Sequence, residues 1–297
     1  MKLMACPNNR DIKEQLNLGV KSFLFGVKDF SINANNALTL DDIISFRKEY
    51  PNIELFLSMD KNLFNNELEL TRELLVKFNE LEIAGIFFYD QAILNIWQEL
   101  ALTVPLVWNQ THLVTNYNTC NYYSELGVKY GLLANEITLE EMLEIRSKSK
   151  LLLMVNLLGY PVMAHSKRKL LTNYFNYTKS FQEDRIYTLK EPNKDDKYLI
   201  KENNIGTCLY NGLLFHATSS LFDYVKQDFA YGIIYMENIS SSKINEVITI
   251  YQEILKGNTY SSLEQAELIR VVNNILESNN TGFLYKKTIY KVKRNDK

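Results

Sequence analysis

The sequence is poor in cysteine and has no long hydrophobic run. Cys6, Cys120 and Cys208 are odd in number and far apart, which argues against a disulfide framework and favours a reducing, cytoplasmic environment. No Cys-x-x-Cys pair occurs, so we expect no metal site. The apolar runs stay well short of the ~20 residues of a membrane span, and the first residues lack the apolar core of a signal peptide. We therefore expect no contact with a membrane.

An excess of charge of either sign is also lacking. The 33 basic and 35 acidic residues leave a formal net charge of −2, so binding to nucleic acid would need a local basic patch. Five prolines and eleven glycines interrupt a chain of 297 residues that is 46% hydrophobic, which is typical of a folded domain. This length accommodates two average domains or one α/β barrel.

Short β-rich apolar runs alternate along the chain with longer stretches of helical periodicity. Such alternation predicts crossover connections and a parallel sheet. Eight units favour an α/β fold of the closed (β/α)8, TIM-barrel type, in a single domain over residues 1–297. No Gly-x-Gly-x-x-Gly turn follows the first run, which argues against a dinucleotide-binding sheet. The predicted strands are Lys2–Ala5, Ser22–Phe25, Ile53–Ser58, Gly85–Tyr89, Pro105–Asn109, Tyr130–Ala134, Leu151–Leu157 and Gly232–Met236.

The stretches between these strands carry helical signals. Residues 67–81 place leucines and Phe78 on one stripe, and Thr138 with Glu141 forms a capping box that predicts a helix start at Leu139. The other predicted helices span residues 11–18, 40–50, 91–100, 116–126, 219–229 and 244–255.

The seventh and eighth predicted strands are separated by about seventy residues, more than one helix and two loops require. We interpret residues 159–206 as an insertion, a long polar and aromatic loop that leaves the carboxyl end of a strand. In a barrel, that end carries the binding and catalytic groups. Residues 281–297 are interpreted as a C-terminal tail, in which residues 283–290 predict a short strand.

Three polar side chains follow predicted strands and are candidates for one site. Glu136 and Glu237 are explained poorly as helix caps, and we expect them to face the same cavity as Gln110. Two carboxylates in a dry site would repel each other, so a cation should lie between them, supplied by one of residues 167–169. Asp60 also follows a strand, whereas Asp90 is interpreted as a helix N-cap.

The histidines divide into two groups. His112 and His165 project from the expected functional end, while His216 lies in an apolar segment and is interpreted as a core residue. His165, Glu136 and Glu237 are the candidate catalytic residues. No His-Glu-x-x-His motif or Gly-x-Ser-x-Gly elbow is present, so no protease motif supports a specific reaction.

The insertion contains a basic and aromatic cluster. Its consecutive cations can contact phosphates, and its tyrosines can stack on unpaired bases. A solvated charge run followed by aromatics that pack within the insertion is the alternative. A second basic stretch, residues 286–294, competes with this cluster. The candidate RNA-binding residues are Asn33, Gln110, His112, Ser166, Lys167, Arg168, Lys169, Asn173, Tyr174 and Tyr177.

Phrases along nearly the whole chain resemble the collagenase-like peptidase family U32. Residues 26–34 resemble its Gly…Phe-Ser-Leu-Arg-Ala element, and residues 126–140 resemble its Leu-Gly-Val…Leu-Ala-Arg-Glu-Leu-Ser-Leu-Glu element. Further similarities are Gln110 with Thr115–Asn116, the block from Gly159 to Phe175, Gly206–Thr207 and Glu237. The chain is most similar to the short, cysteine-poor member of paired proteins in low-GC Gram-positive bacteria, through residues 166–168, 173–175, 196–198 and 281–283.

This resemblance implies a barrel fold and a role in nucleic-acid modification. Relatives take part in hydroxylating the wobble uridine of tRNA to 5-hydroxyuridine, in hydroxylating ribosomal RNA, or in oxygen-independent ubiquinone hydroxylation. The resemblance also implies a larger, cysteine-containing U32 paralogue as partner, beside which this chain acts as an RNA-binding or scaffolding subunit. There are two alternatives. The chain could be a U32-type peptidase that acts on collagen-like or unfolded chains, or a catalytically inactive structural homologue.

The sequence departs from the family pattern at functional positions. Catalytic members carry His-Gly followed by four cysteines that hold an iron–sulfur cluster, whereas Leu158 precedes Gly159 here, and Val162 and Lys169 stand at the first two cysteine positions. Asn33 and Asn135 replace two arginines of the family. We therefore expect no cofactor.

Overall fold

The computed structural model describes residues 1–33, 36–183, 185–193 and 197–286. Parts of the phrases at residues 26–34 and 196–198, and residues 287–297 of the tail, lie outside them. The strands are β1 Lys2–Cys6, β2 Ser22–Val27, β3 Ala37–Leu38, β4 Glu54–Met59, β5 Gly85–Phe88, β6 Leu106–Trp108, β7 Tyr130–Leu132, β8 Leu152–Gly159, β9 Val162–Ser166, β10 Tyr187–Lys190, β11 Lys197–Glu202, β12 Thr207–Asn211, β13 Phe215–His216 and β14 Tyr231–Tyr235. The α-helices are α1 Lys13–Asn17, α2 Leu40–Glu49, α3 Leu68–Glu80, α4 Gln91–Glu99, α5 Tyr117–Glu125, α6 Leu139–Lys148, α7 Leu170–Thr178, α8 Thr218–Lys226, α9 Ser241–Leu255 and α10 Ser262–Leu276. Within these ranges, no helix combines the length and apolar character that crossing a bilayer requires.

Eight parallel strands among the described residues form a closed barrel, which confirms the predicted fold class. They pair in the order β1, β2, β4, β5, β6, β7, β8 and β14, and β14 pairs with β1 to close the ring. Met4 pairs with Ser22 on one side and with Ile233 on the other. Parallel neighbours need crossover connections, and a helix lies between each strand of the barrel and the next. Each of the eight predicted barrel strands overlaps one of these strands.

Side chains alternate between the barrel interior and the layer under the helices. On β2, Leu24 packs in the interior, whereas Phe23 and Phe25 pack in the outer layer. Phe56 packs in the interior and makes an edge-to-face contact with Tyr231, with ring centroids 5.2 Å apart. The interior is therefore filled, and ligands can reach the barrel at its ends rather than along its axis.

The observed helix starts can be compared with the capping signals in the sequence. The capping box at α6 is confirmed, because Thr138 accepts a hydrogen bond from the Glu141 N–H and Glu141 accepts one from the Thr138 N–H. Helix α10 is not among the predicted helices, although Ser261 and Glu264 form the same kind of capping box at its start.

The predicted strand at residues 283–290 is wrong over its first part. Residues 283–285 form turns, and the Lys286 N–H donates to the carbonyl of Phe283 at 3.0 Å. Leu284 is buried, and its carbonyl accepts the N–H of Leu139 at 2.9 Å. The segment therefore docks against the start of α6 instead of extending into a sheet.

The segment between β8 and β13 contains a small antiparallel sheet, so the expectation of a long loop is corrected. Its strands pair in the order β10, β11, β12 and β9, and α7 packs against β11. Glu202 on β11 accepts the Leu171 N–H at 2.8 Å and so caps α7. The chain leaves the barrel at Gly159, where φ is 140° and an added Cβ would lie 2.8 Å from Tyr235 Cβ. Both conditions require glycine.

Candidate functional site

A cavity lies at the carboxyl ends of the barrel strands, between the barrel and the small sheet; we name it the mouth cavity. Barrel residues in its wall include Cys6, Asp60, Asn135 and Glu237. The small sheet contributes His165, Leu199, Cys208 and Tyr210 to the opposite wall. This is the end at which parallel barrels bind their ligands.

Asp60 is the most enclosed carboxyl group of the mouth cavity. It directly follows β4, is 8% exposed, and accepts hydrogen bonds from Ser31 Oγ at 2.9 Å and from the Ile32 N–H at 2.7 Å. Burial raises the pKa of Asp60, whereas these bonds and one from the Asn33 N–H oppose the rise. Asp60 therefore fixes the loop after β2 to the rim of the barrel.

Glu237 forms an ion pair that bridges the two walls. It follows β14, and its Oε1 lies 3.0 Å from Lys201 Nζ on β11. Burial raises the pKa of Glu237, and the neighbouring ammonium group counteracts this effect. The prediction that a cation from residues 167–169 lies between Glu136 and Glu237 is therefore wrong: the cation beside Glu237 comes from β11, and Glu136 contacts His112.

His165 lies on β9 and reaches the cavity from the small sheet. Its ring contacts the Tyr89 ring edge to face, with centroids 5.1 Å apart. Burial lowers the pKa of His165, Asp60 acts in the opposite direction, and His112 and Lys167 add to the lowering. The imidazole is therefore neutral at pH 7 and can accept or donate one hydrogen bond.

Two of the three thiols line the mouth cavity. Burial raises the pKa of Cys6 and of Cys208 to about 12, and the carboxylates of Asp60 and Glu237 add to the rise. Cys120 lies in α5 within the outer layer of the core. Iron–sulfur clusters are held by several thiolates, so a pair of protonated thiols does not fit the cluster that catalytic family members hold. Within the described residues, no group of three or more His, Cys, Asp or Glu side chains could hold a metal ion.

Gln110 and Glu136 do not line the mouth cavity, which corrects the prediction that they face it together with Glu237. Gln110 bonds to its own side of the barrel: its Oε1 accepts from Trp108 Nε1 at 3.0 Å, and its Nε2 donates to the Tyr89 carbonyl at 2.8 Å. Glu136 is 54% exposed, and its Oε2 lies 3.2 Å from His112 Nδ1. His112 and Glu136 therefore form a pair on the outer rim.

The basic cluster lies where β9 leads into α7. Lys167 packs against the barrel rim, with Nζ 3.3 Å from the centroid of the Phe64 ring. The Ser166 hydroxyl accepts the Arg168 N–H at 3.1 Å and shapes the turn before α7. Lys167 is therefore partly occupied in holding the small sheet on the barrel.

The residues that follow Lys167 are exposed, and we name them the α7 face: Arg168, Lys169, Asn173, Tyr174 and Tyr177. Tyr174 is 59% and Tyr177 88% exposed. Three positions apart on a helix, these two tyrosines lie on one side of α7. The alternative expectation, that the aromatics of this cluster pack within the insertion, is wrong for both tyrosines.

Sequence reasoning did not assign Lys201, Asn156 or Cys208 to the site. Asn156 lies within β8, where a polar residue in an apolar run was a usable signal because such a strand is buried on both faces. Lys201 and Cys208 belong to the small sheet, whose pairing has no local signature. His216 is 1% exposed and bonded to Thr218 and Ser278, which confirms it as a core residue.

Known proteins are similar to this chain over most of its length. Residues 8–288 match the sequence profile of peptidase family U32. The chain is 24% identical to tRNA hydroxylation protein P2 of Bacillus subtilis, over 97% of this chain and 99% of that protein. It is 20% identical to tRNA hydroxylation protein P1 of the same organism, over 58% of this chain and 42% of that protein. A solved structure of a U32 peptidase gives a TM-score of 0.46 at 13% identity, over 79% of this chain and 92% of that one. The profile match from residue 8 to residue 288 shows that the protein belongs to peptidase family U32.

Proposed function

We propose that the protein acts in tRNA hydroxylation as an RNA-binding subunit without an iron–sulfur cluster, beside a larger cysteine-bearing paralogue. Two relatives support this proposal, because both are named tRNA hydroxylation proteins and both occur in Bacillus subtilis. This chain covers 99% of P2 but 42% of P1, so its proposed counterpart is P2. The proposed target is the wobble uridine, and the proposed place of action is the cytoplasm.

The α7 face is the observation that carries the RNA-binding part of the proposal. Tyr174 and Tyr177 offer exposed rings on which unpaired bases can stack. Arg168 and Lys169, exposed at the start of the same helix, can contact the adjacent phosphates. A net charge of −2 gives the whole protein no long-range attraction for RNA, so a concentrated patch has to supply it.

The thiol chemistry supports the part of the proposal that concerns the cofactor. Cys6 and Cys208 are kept protonated by burial and by nearby carboxylates, and Val162 and Lys169 stand at two of the family's cysteine positions. Anaerobic purification followed by iron and sulfide analysis tests this part directly. We expect neither element in stoichiometric amount, and a brown protein with stoichiometric iron would contradict the proposal.

RNA binding is tested by titrating tRNA at several salt concentrations. For Arg168→Ala/Lys169→Ala we expect weaker binding and a logarithmic salt slope that is smaller by roughly 0.7–0.9 per lost cation. The matched control is Lys21→Ala/Lys129→Ala, because both of these lysines are exposed at the opposite end of the barrel. A third variant ends after Lys286. If only this truncation weakens binding, the α7 face is not the RNA-binding surface.

The two alternatives predict different results with the same protein. A peptidase would hydrolyse gelatin, and this activity would fall in His165→Ala and Glu237→Ala. A catalytically inactive structural homologue would retain no RNA even at low salt. Either result would contradict the proposed function.

A further inference from the structure

The wall of the mouth cavity combines apolar side chains with polar groups, and it carries no positive charge of its own at neutral pH. The acid–base groups in its wall include Asp60, Glu237 and a histidine, His165, that burial keeps neutral. Among the described residues of the wall there is no lysine or arginine. Lys201 lies beside the wall, 3.0 Å from Glu237, so its charge is balanced there. A carboxylate or phosphate that entered the cavity would meet the carboxyl group of Asp60 and a Glu237 already balanced by Lys201, with no lysine or arginine in the described wall to bind it.

Asparagine amides supply most of the remaining polarity. Those in the described wall are Asn8, Asn33, Asn109, Asn135, Asn156 and Asn238. Each amide group offers two donors and an acceptor without any charge. Asn156 Nδ2 donates to Asn135 Oδ1 at 2.6 Å, while the buried Asn156 Oδ1 has no partner among the described residues. The wall therefore matches a ligand that carries donors and acceptors side by side and is uncharged.

Aromatic side chains are also part of the wall of the cavity. Tyr160, Tyr210, Phe215 and Tyr235 all line it. A planar ring can lie against such side chains, as bases that leave a nucleic-acid stack do in their binding pockets. The same end of the molecule carries the α7 face, whose cations can hold phosphates outside the cavity.

We propose that the mouth cavity is a recess for one unpaired, uncharged nucleobase of the bound RNA. The base enters between the barrel and the small sheet, and its phosphates stay outside the cavity. This inference rests on the proposed function, because the RNA delivers the base. A small anionic co-substrate is the competing occupant, and the charge of the wall argues against it.

The experiment measures binding of the four ribonucleosides by ligand-observed NMR, with succinate and inorganic phosphate as competitors. We expect at least one nucleoside to bind the wild-type protein, and neither anion to displace it. Asn156→Leu removes an amide from the wall and should weaken nucleoside binding by about tenfold, the loss expected when a hydrogen bond of ordinary strength is removed. Asn52→Leu, at the exposed opposite end of the barrel, is the matched control and should bind as the wild type does.

Glu237→Gln provides a second test that does not depend on the folding of Asn156→Leu. Removing this negative charge should allow succinate to compete for the cavity, which it does not do in the wild type. The inference is overturned if succinate or phosphate displaces nucleosides from the wild type. It is also overturned if no nucleoside binds while tRNA binding still depends on Arg168 and Lys169, a result that leaves the proposed function intact. Failure of the wild type to bind tRNA contradicts the proposed function itself.

Discussion

Lys201 Nζ lies 3.0 Å from Glu237 Oε1, and this ion pair joins the small sheet to the carboxyl end of the last barrel strand. The two side chains are 27% and 20% exposed, so water screens their attraction less than that of a surface pair. Together with the bond from Asn203 Nδ2 to the Ile32 carbonyl, at 3.2 Å, the pair holds the two walls of the mouth cavity together.

A double-mutant cycle with Lys201→Met and Glu237→Gln should show that this pair contributes to stability. We expect a coupling free energy of about 1 kcal/mol in urea unfolding, because partly buried partners interact more strongly than exposed ones. The control cycle uses Lys256→Met and Glu253→Gln, whose side chains are 60% and 55% exposed. Its coupling should stay below about 0.5 kcal/mol. Equal coupling in the two cycles would show that the Lys201–Glu237 pair adds nothing beyond a surface contact.

The buried His216 should make the protein less stable as the pH falls below neutrality. Burial lowers its pKa, and the neutral ring bonds to the Thr218 hydroxyl at 2.9 Å and to the Ser278 carbonyl at 3.0 Å. In the unfolded chain, this histidine takes up a proton at about pH 6.5, whereas in the folded chain it does so only at lower pH. The free energy of unfolding should therefore decrease as the pH falls through this range.

His216→Gln tests this prediction, since glutamine can still donate to Ser278 but does not titrate. Urea unfolding between about pH 7 and pH 5 should give a shallower loss of stability for the variant than for the wild type. Parallel pH profiles for the two proteins would show that His216 is not the source of the acid sensitivity.

Tyr174→Ala/Tyr177→Ala should weaken RNA binding without changing its dependence on salt. Stacking contributes about 1–3 kcal/mol per base and releases no counterions, so affinity falls while the logarithmic salt slope stays constant. The free energy of unfolding should change by less than about 0.5 kcal/mol, because both rings are exposed. Tyr122→Ala is the control, since Tyr122 is 59% exposed on α5, as Tyr174 is on α7. A salt slope that falls with the tyrosines would show that they act through the neighbouring cations.

The three thiols should resist alkylation in the folded protein. Burial raises the pKa of Cys6 and Cys208 to about 12 and that of Cys120 to about 11, so very little thiolate exists at neutral pH. Mass spectrometry after iodoacetamide treatment should find unmodified cysteines in buffer and full modification in urea. Rapid labelling of Cys6 or Cys208 in buffer would mean that the mouth cavity holds a reactive thiol.

Local signals were sufficient to predict the barrel from the sequence. Each barrel strand is a mostly apolar run, because both of its faces are buried, and the helices between them carry periodic apolar stripes. Asp90 is one example. Its place before a helical stretch predicted that it is an N-cap, and it caps α4 by accepting a hydrogen bond from the Ala92 N–H at 2.9 Å.

The site was less predictable because its contacts join distant parts of the chain. Lys201 and Glu237 are 36 positions apart, and Ser31 and Ile32, which donate to Asp60, lie 29 and 28 positions before it. The strands of the small sheet show no regular alternation of buried and exposed residues, so their sequences do not indicate which face is covered. Proximity to strand ends correctly predicted that Glu237 lines the cavity, but it predicted the same of Gln110 and Glu136, whose side chains contact other partners.

The amount of 5-hydroxyuridine at the wobble position of tRNA, measured by mass spectrometry, tests the central claim most directly. The measurement compares cells that contain this chain, cells that lack it, and deletion cells supplied with the wild type or with a variant of the α7 face. We predict that the modified nucleoside falls in the deletion, returns with the wild type, and does not return with a variant in which Arg168, Lys169, Tyr174 and Tyr177 are all alanine. An unchanged level in cells that lack the chain would contradict the account.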